Sequence, residues 1–339
     1  MTERPDAAWM AAALALAERG IGRTGPNPAV GCVIVRGGEI VGRGVTAPGG
    51  RPHAEALALD QAGPRAAAST LYVTLEPCAH ESARGPACTD LILGRRPARV
   101  VVGCLDPDPR THGQGVARLR AAGIPVEVGP GQGQAERLIA GFRRRLTDGR
   151  PEVTLKIASS LDGCIALADG TSRWITGPDA RAHAHLERAR HDAILVGSGT
   201  LTADDPALDV RLPGLEDRTP QPYVVSRTWT AIPAQLSGRA ARAARVLDGT
   251  DLPAALRELA DAGVNRLLVE GGAGLARALV AADLVDRLLW YQAPILLGAG
   301  LPALGDIGLI DLADAHGRWT CLQRRTLGQD HLAVFARTR

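Results

Sequence analysis

At 339 residues, the chain is longer than a single hydrophobic core usually supports, so its length predicts two domains. Its 45% hydrophobic and 22% charged residues are those of an ordinary globular protein. A formal net charge of +3 is too small to indicate a polyanionic partner, so we expect no nucleic-acid binding. The apolar stretch near the N-terminus follows acidic residues and is too short to span a membrane, so we expect a cytoplasmic protein without membrane association.

The first half of the chain alternates between predicted helices and strands. An amphipathic N-terminal helix precedes a hairpin around a Gly-Gly pair, then a helix from about His53 and a strand over TLYVTL that ends near Cys78. A polar loop leads to a helix near Thr89–Leu93, followed by the strand RVVVGCLD, the helix GVARLRAAG and the short strand IPVEVG. This order is typical of an α/β fold and places His53 and Cys78 at the ends of elements.

The charged segment FRRRLTDGRP separates this block from a second series of strands and helices. We place the boundary near residues 146–151, with one domain over 1–147 and another over 151–339. AILVGSGT and NRLLVEGGAG each predict a buried strand that runs into a Gly-rich turn, LARALVAADLVD a helix, and DRLLWYQAPILLG a pair of strands. VEGGAG offers backbone amides to a phosphate, although such turns often serve only close packing.

Three residues of the first half form a candidate zinc site. His53 supplies an imidazole, and Cys78 and Cys88 supply thiolates, which leaves a fourth position for water. Glu55, two residues after the histidine, is the candidate base that moves protons without binding the metal. A lone Pro-Cys could be a structural thiol, but the ordered combination predicts a zinc-dependent deaminase. Cys32, like Cys104, lies in an apolar strand and is expected to be a core thiol.

These motifs resemble the zinc site of the cytidine-deaminase superfamily. Nine residues separate the two cysteines in CAHESARGPAC, and such a long loop resembles the riboflavin-pathway branch, although it is one residue longer than is usual there. The resemblance implies a small-molecule pyrimidine substrate, held by Asn27 in TGPNPAVG and, with approximate registration, by His80 and Arg84. DPDPRTHGQG resembles another segment of that branch, with Asp108 in place of its usual asparagine.

The second half resembles the riboflavin reductase, which has a dihydrofolate-reductase-like fold and uses NADPH. The resemblance is carried, in order, by LKIASSLDG, GTSRWITG, LERARHDAILVGSGTLTADDPALDVR and LLVEGGAGLARALV. It implies a substrate-facing set of Ser172, Arg188, Leu208, Arg211 and Glu270. It also implies a cofactor-facing set of Ala158, Trp174, Thr200, Asp204 and Ser226, with a turn over Gly272, Ala273, Gly274, Leu275, Ala276, Arg277 and Ala278.

Two features depart from the reductase pattern. Cys164 stands where the family usually has a lysine or arginine, so a cation is missing there. The segment 220–250 is short and rich in Ala and Arg where longer relatives have a further strand and loop. Without the resemblance, Arg188 could equally be a solvated helix residue, and the Asp204-Asp205-Pro206 segment only a turn.

The sequence therefore predicts a bifunctional enzyme, with an N-terminal cytidine-deaminase-like α/β/α domain and a C-terminal dihydrofolate-reductase-like α/β domain. The implied reactions are deamination of 2,5-diamino-6-(5-phosphoribosylamino)pyrimidin-4(3H)-one at zinc, then NADPH-dependent reduction to 5-amino-6-(5-phosphoribitylamino)uracil. We expect a homo-oligomer, a dimer or a tetramer. One alternative is a tRNA deaminase with an accessory domain, which would show Cys-x-x-Cys and a basic stripe. Another is a structural zinc module, which would have four protein ligands.

Overall fold

The computed structural model describes residues 5–80, 84–236 and 238–339. The chain divides into two compact units, Met1–Asp148 and Gly149–Arg339. Part of the predicted zinc loop, residues 81–83, and the first four residues of the predicted N-terminal helix lie outside the described residues. No helix within the described ranges combines the length and the apolar character needed to cross a membrane.

The first unit has a mixed sheet with helices packed on it. Its helices are α1 (Asp6–Gly20), α2 (Ala54–Ala62), α3 (Cys88–Arg95), α4 (Gln114–Ala121), α5 (Gln132–Leu138) and α6 (Ala140–Thr147). Its strands are β1 (Gly31–Arg36), β2 (Glu39–Val45), β3 (Thr70–Leu75), β4 (Arg99–Cys104) and β5 (Val126–Val128). The sheet order is β2-β1-β3-β4-β5, in which β2, β1 and β3 pair antiparallel and β3, β4 and β5 pair parallel. The predicted elements of this block are confirmed.

Helix α2 lies unusually close to strand β2, and this contact sets the position of the candidate metal site. A methyl group at Gly44 would lie 2.2 Å from the backbone oxygen of Ala54, and one at Gly42 would lie 2.2 Å from that of Ala58. Only glycine permits such a separation between helix and strand. The two glycines of β2 therefore fix the start of α2, which His53 precedes directly.

The second unit is built on a larger, mainly parallel sheet. Its helices are α7 (Pro178–Ala189), α8 (Ser198–Asp204), α9 (Arg239–Ala243), α10 (Leu252–Asp261) and α11 (Ala273–Ala281). Its strands are β6 (Glu152–Ser159), β7 (Cys164–Ala166), β8 (Ala193–Gly197), β9 (Gln221–Ser226), β10 (Arg245–Asp248), β11 (Arg266–Val269), β12 (Arg287–Gln292), β13 (Leu301–Pro302), β14 (Trp319–Leu327) and β15 (Asp330–Arg337).

The strand order of the large sheet is β10-β9-β8-β11-β6-β12-β15-β14. All pairs from β10 to β12 are parallel, and β15 pairs antiparallel with both β12 and β14. Because parallel strands end at the same edge, β6, β8, β9 and β11 bring Ala158, Ser226 and Glu270 to one edge, together with the start of α8. This is the edge at which open α/β sheets bind ligands.

Two expectations for the second unit are wrong. DRLLWYQAPILLG forms one strand, β12, which pairs with β6 and β15, and the chain leaves the sheet as it approaches Pro294, which has no N–H for a sheet ladder. The segment 220–250 keeps a further strand, because β10 pairs with β9 through Val246 and Leu247.

Candidate active sites

His53, Cys78 and Cys88 converge in the first unit. His53 caps the N-terminus of α2, Cys78 follows β3, and Cys88 is the first residue of α3. The Nδ1 atom of His53 lies 3.3 Å from Sγ of Cys88 and 3.7 Å from Sγ of Cys78, and all three ligand atoms lie within 4.8 Å of one another. One nitrogen and two sulfurs suit zinc, so this group could hold a metal ion with a fourth position open.

The two cysteines are electrostatically unequal. The backbone N–H of Cys88 donates to Sγ of Cys78 at 3.3 Å. The side-chain hydrogen bond between the two thiols lowers the pKa of Cys78 and raises the pKa of Cys88 well above its ordinary value. Binding of a metal by both sulfurs requires both thiols to lose their protons.

Glu55 lies in the first turn of α2 and is 3% exposed. Burial raises the pKa of its carboxyl group, and the neighbouring His53 opposes that change. A buried carboxyl group beside a metal site, with its pKa raised toward neutrality, is suited to accept and return a proton. The helix thus presents a ligand and a candidate base two residues apart.

A cavity of about 360 Å³ opens at this group, and most of the predicted deaminase residues line it: Asn27, His53, Glu55, Cys78, His80 and Arg84. Cys88 is buried at 1% exposure. The amide nitrogen of Asn27 donates to the backbone oxygen of Gly50 at 2.8 Å and lies 3.3 Å from Nε2 of His53. Arg84 donates to the backbone oxygen of Gly49 at 2.7 Å. The structure therefore brings the predicted deaminase residues together around one cavity.

Sequence reasoning did not assign six further charged residues that line this cavity: Arg51, Glu76, Asp106, Asp108, Arg110 and Arg145. Burial raises the pKa of Asp106 to about 7. Asp108 forms a two-point ion pair with Arg110, whose Nε and Nη2 atoms both reach the carboxylate. The signal for these two residues was the DPDPR stretch, whereas Arg145 lies in the charged segment that we interpreted only as a domain separator.

Glu76 holds the loop after β4 in place beside the cavity. Its buried carboxylate accepts backbone N–H groups from Asp106 at 3.2 Å, Gly113 at 2.9 Å and Val116 at 3.0 Å. Three hydrogen bonds to one buried carboxylate make a rigid connection. The sequence shows that Glu76 lies two residues before Cys78, but it does not show which backbone N–H groups donate to its carboxylate.

In the second unit, Arg188 and Glu270 form a buried ion pair. Nε and Nη2 of Arg188 donate to the two carboxylate oxygens at 2.6 and 2.9 Å, and Nη1 donates to the backbone oxygen of Asp209 at 2.9 Å. Burial alone would raise the pKa of Glu270, but Arg188 outweighs it and lowers that pKa to about 2. Lys156, which no sequence motif marked, is half-buried near Glu270, and burial lowers its pKa.

The other predicted substrate residues lie on two loops. Ser172 precedes α7, and Leu208 and Arg211 follow α8. Leu208 is 3% exposed, packs in a hydrophobic cluster and has a φ of 51°. Arg211 is exposed, with Nη2 3.4 Å from Nε2 of His185. Ser172 is half-buried. Cys164 is buried in β7, and this strand contains no lysine or arginine.

Part of the predicted cofactor set is adjacent in space. A methyl group at Gly272, the N-cap of α11, would lie 3.8 Å from Oγ1 of Thr200 at the start of α8. Trp174 is 65% exposed, with the guanidinium of Arg181 4.8 Å from its ring centroid. Asp204, the last residue of α8, accepts from Arg173.

Two members of that set need correction in their local structure. The chain over 273–278 is the beginning of α11 rather than a turn, because the apolar side of the helix packs on the sheet, where Ala276 is 1% exposed. Ser226 uses its hydroxyl to accept the backbone N–H groups of Thr228 and Trp229, at 3.2 and 3.1 Å. Its side chain therefore closes the turn after β9.

A His-Cys-Cys group beside a buried glutamate in one unit, and a parallel sheet with a glycine-capped helix in the other, define a zinc-dependent deaminase joined to a reductase. A model of the "Cytidine and deoxycytidylate deaminase zinc-binding region" matches residues 3–104, and a model of the "RibD C-terminal domain" matches residues 151–333. The chain belongs to the RibD family of riboflavin biosynthesis, whose members combine a zinc-binding deaminase domain with an NADPH-using reductase domain.

Individual relatives cover nearly the whole chain. Riboflavin biosynthesis protein RibD of Escherichia coli is 42% identical over 91% of this chain and 94% of its own length. The structure of Acinetobacter baumannii RibD is 35% identical, with a TM-score of 0.90, over 98% of this chain and 99% of that one. A Thermotoga maritima diaminohydroxyphosphoribosylaminopyrimidine deaminase/5-amino-6-(5-phosphoribosylamino)uracil reductase is 31% identical, with a TM-score of 0.88, over 98% of both chains. These matches confirm the predicted family and fold class and do not favour a tRNA deaminase.

Proposed function

We propose that this chain deaminates 2,5-diamino-6-(5-phosphoribosylamino)pyrimidin-4(3H)-one and then reduces the ribosyl group of the product, giving 5-amino-6-(5-phosphoribitylamino)uracil. The deaminase domain comprises residues 1–147 and the reductase domain residues 151–339. The observation that carries the proposal is the convergence of His53, Cys78 and Cys88 beside the buried Glu55. Together with the glycine-capped helix of the second unit, it accounts for both activities of the family.

In the deamination step, His53, Cys78 and Cys88 would hold zinc. When bound, zinc acts as a Lewis acid that makes a water molecule nucleophilic near neutral pH. Glu55 takes one proton from the attacking water and delivers it to the ring nitrogen, then takes the proton of the added hydroxyl group and delivers it to the departing ammonia. Burial of Glu55 supports this role, because it favours the protonated form that must donate.

The deaminase cavity binds the rest of the substrate through polar groups on its walls. Asn27 and His80 contact the pyrimidine and ribose, and Arg84 at the rim meets the phosphate. Arg51 and Arg145 also line this cavity and add positive charge to it, which suits a phosphorylated substrate.

In the reduction step, the residues that would hold NADPH are Ala158, Trp174, Thr200, Asp204 and Ser226 and the helix start at residues 272–278. NADPH supplies the hydride for the sugar C1. The substrate lies on the side of Ser172, Leu208 and Arg211, with the Arg188–Glu270 pair beneath it. The enzyme contributes by positioning the sugar against the nicotinamide and excluding water.

We also propose a cytoplasmic homo-oligomer, a dimer or a tetramer, that acts on small molecules. Two of its thiols serve as metal ligands, which a reducing compartment keeps available. Sedimentation of the purified chain measures its oligomeric state.

One assay tests the two-step proposal. Purified protein is incubated with the diaminopyrimidine phosphoribosylamine, with and without NADPH. We expect ammonia release in both samples and oxidation of NADPH only after deamination. If NADPH is oxidised with no ammonia released, the proposed order is wrong, and if neither occurs, the proposed substrate is wrong.

Metal retention should separate ligands from core thiols. We expect about one zinc per chain, lost on replacement of His53, Cys78 or Cys88 by Ala, because each supplies one of three ligand atoms. Cys32→Ser and Cys104→Ser are matched controls that should keep zinc, since both thiols lie in strands of the core. Elemental analysis of the folded variants measures this. Loss of zinc from a folded control would contradict the ligand assignment.

Substrate and cofactor affinity should respond differently to a change at Arg211. We expect Arg211→Ala to weaken binding of the reductase substrate by about ten- to a hundredfold, the size of a lost charged hydrogen bond, with little change for NADPH. Titration of the variant with each ligand measures both. An unchanged substrate affinity would place the phosphate elsewhere.

A further inference from the structure

Asp209 lies among cationic side chains in the reductase unit, two residues before Arg211. It is 7% exposed, and its backbone oxygen accepts from Arg188. Its carboxylate faces two exposed guanidiniums: Nε of Arg211 at 3.5 Å and Nη1 of Arg239, from α9, at 3.3 Å. One buried carboxylate therefore lies between two arginines from different segments: it accepts a hydrogen bond from Arg239 and forms an ion pair with Arg211.

The charges in this group do not cancel. Arg188 is balanced by Glu270, which occupies its Nε and Nη2 atoms, and its third nitrogen faces Asp209. Asp209 can balance only one of the two remaining arginines. The side chains of Arg211 and Arg239 are 60% and 66% exposed, so they present a net positive charge to solvent beside the buried pair. Two guanidiniums next to each other are the arrangement that binds a phosphate group.

The backbone brings Arg239 to this place through a close approach. Gly238 is the N-cap of α9, and a methyl group there would lie 2.1 Å from Oδ1 of Asp205. Because Gly238 has no side chain, the start of α9 can contact Asp205, in the loop that continues to Asp209. Arg239, the next residue, then reaches the carboxylate of Asp209.

We propose that Arg239 is a further substrate-binding residue of the reductase, and that with Arg211 it holds the phosphate of the phosphoribosylamino substrate. Asp209 is the shared counter-ion that positions the two guanidiniums. The proposal rests on the proposed function, in which Arg211 faces the substrate. The 2′-phosphate of NADPH has the same chemistry, but the contact of Arg239 with Asp209 places it with Arg211 rather than with the cofactor set.

The test compares Arg239→Ala with wild type in the reduction of 5-amino-6-(5-phosphoribosylamino)uracil and of its dephosphorylated counterpart. We expect KM for the phosphorylated substrate to rise about ten- to a hundredfold, the loss expected for a charged hydrogen bond. KM for the dephosphorylated substrate, KM for NADPH and kcat should stay unchanged. Arg239→Lys should restore part of the affinity. Arg242→Ala, an exposed arginine on the same helix, is the matched control and should behave as wild type.

Other outcomes would overturn the proposal. Equal losses with both substrates would make Arg239 a structural partner of Asp209, and a rise in KM for NADPH but not for NADH would assign it to the cofactor. Normal kinetics in Arg239→Ala would also contradict it, provided that Arg211→Ala is impaired. Wild-type protein without reductase activity would instead refute the proposed function.

Discussion

Glu55→Gln protein is expected to lose ammonia release while it still reduces the deaminated substrate. The amide is close in size to the carboxyl group, so zinc and fold should be kept, but it cannot accept and return the proton. General acid–base catalysis contributes about a hundred- to ten-thousandfold to a rate, and we expect a loss of at least that size. Ammonia release from the diaminopyrimidine precursor measures the first activity, and NADPH oxidation with the ribosylaminouracil phosphate measures the second.

Asp60→Asn is the matched control, because it makes the same chemical change at an exposed position on the same helix. It should leave both activities unchanged. As only a helix-start carboxylate, Glu55 would contribute about 0.3–1 kcal/mol of stability and nothing to the chemistry. Ammonia release at the wild-type rate in folded, zinc-containing Glu55→Gln protein would therefore make Glu55 structural and the proposed mechanism wrong.

The metal group could be predicted because its signals are local. His53 and Glu55 lie two residues apart at a helix start, and Cys78 comes three residues after the end of a strand rich in β-branched residues, so element prediction alone placed them near element ends. Strands β3, β4, β8 and β11 were predicted for a related reason: they are buried and their sequences are apolar runs.

Elements without an apolar pattern were missed. Strand β14 is exposed over Thr320–Thr326 and carries polar residues at most positions, so no alternation marks it. It exists because β15 pairs with it along its length, and that pairing depends on a partner strand rather than on its own sequence. The predicted strand pair over DRLLWYQAPILLG is wrong for a similar reason. The partners of β12 are β6 and β15, which are distant in sequence.

The electrostatic partners of the sites also lay beyond sequence reasoning. Arg188 and Glu270 were both predicted to face the substrate, but they are 82 residues apart and nothing local shows that they neutralise each other. The three backbone donors of Glu76 come from residues 30 to 40 positions away. Such contacts follow from topology, which brings the ends of several strands to one edge.

Arg188→Ala should strongly destabilise the reductase unit. The side chains of Arg188 and Glu270 are 14% and 11% exposed, so the variant leaves a carboxylate buried without its cation. Removal of one partner of a buried ion pair costs about 3–5 kcal/mol. Arg190→Ala is the matched control, two residues further along the chain. The contact of Arg190 with Glu187 is long, at 3.9 Å, so we expect the free energy of unfolding to change by less than about 1 kcal/mol.

The pH dependence of the stability lost in Arg188→Ala shows whether the unpaired carboxylate of Glu270 causes it. In the wild type, the pKa of Glu270 is lowered to about 2 from an ordinary 4.5, so its contribution to stability is complete above pH 4.5 and is lost as the pH falls through 2. In Arg188→Ala, burial without the cation raises that pKa, so Glu270 takes up its proton at higher pH. The difference in unfolding free energy between wild type and variant should therefore shrink as the pH is lowered from the raised pKa of Glu270 in the variant toward 2.

Urea unfolding followed by tryptophan fluorescence measures this difference, because four of the five tryptophans lie in the reductase unit: Trp174, Trp229, Trp290 and Trp319. Glu270→Gln in the Arg188→Ala background removes the unpaired charge and should recover part of the lost stability at pH 7. An Arg188→Ala protein as stable as wild type at pH 7, or a loss that does not change with pH, would show that Arg188 does not compensate Glu270.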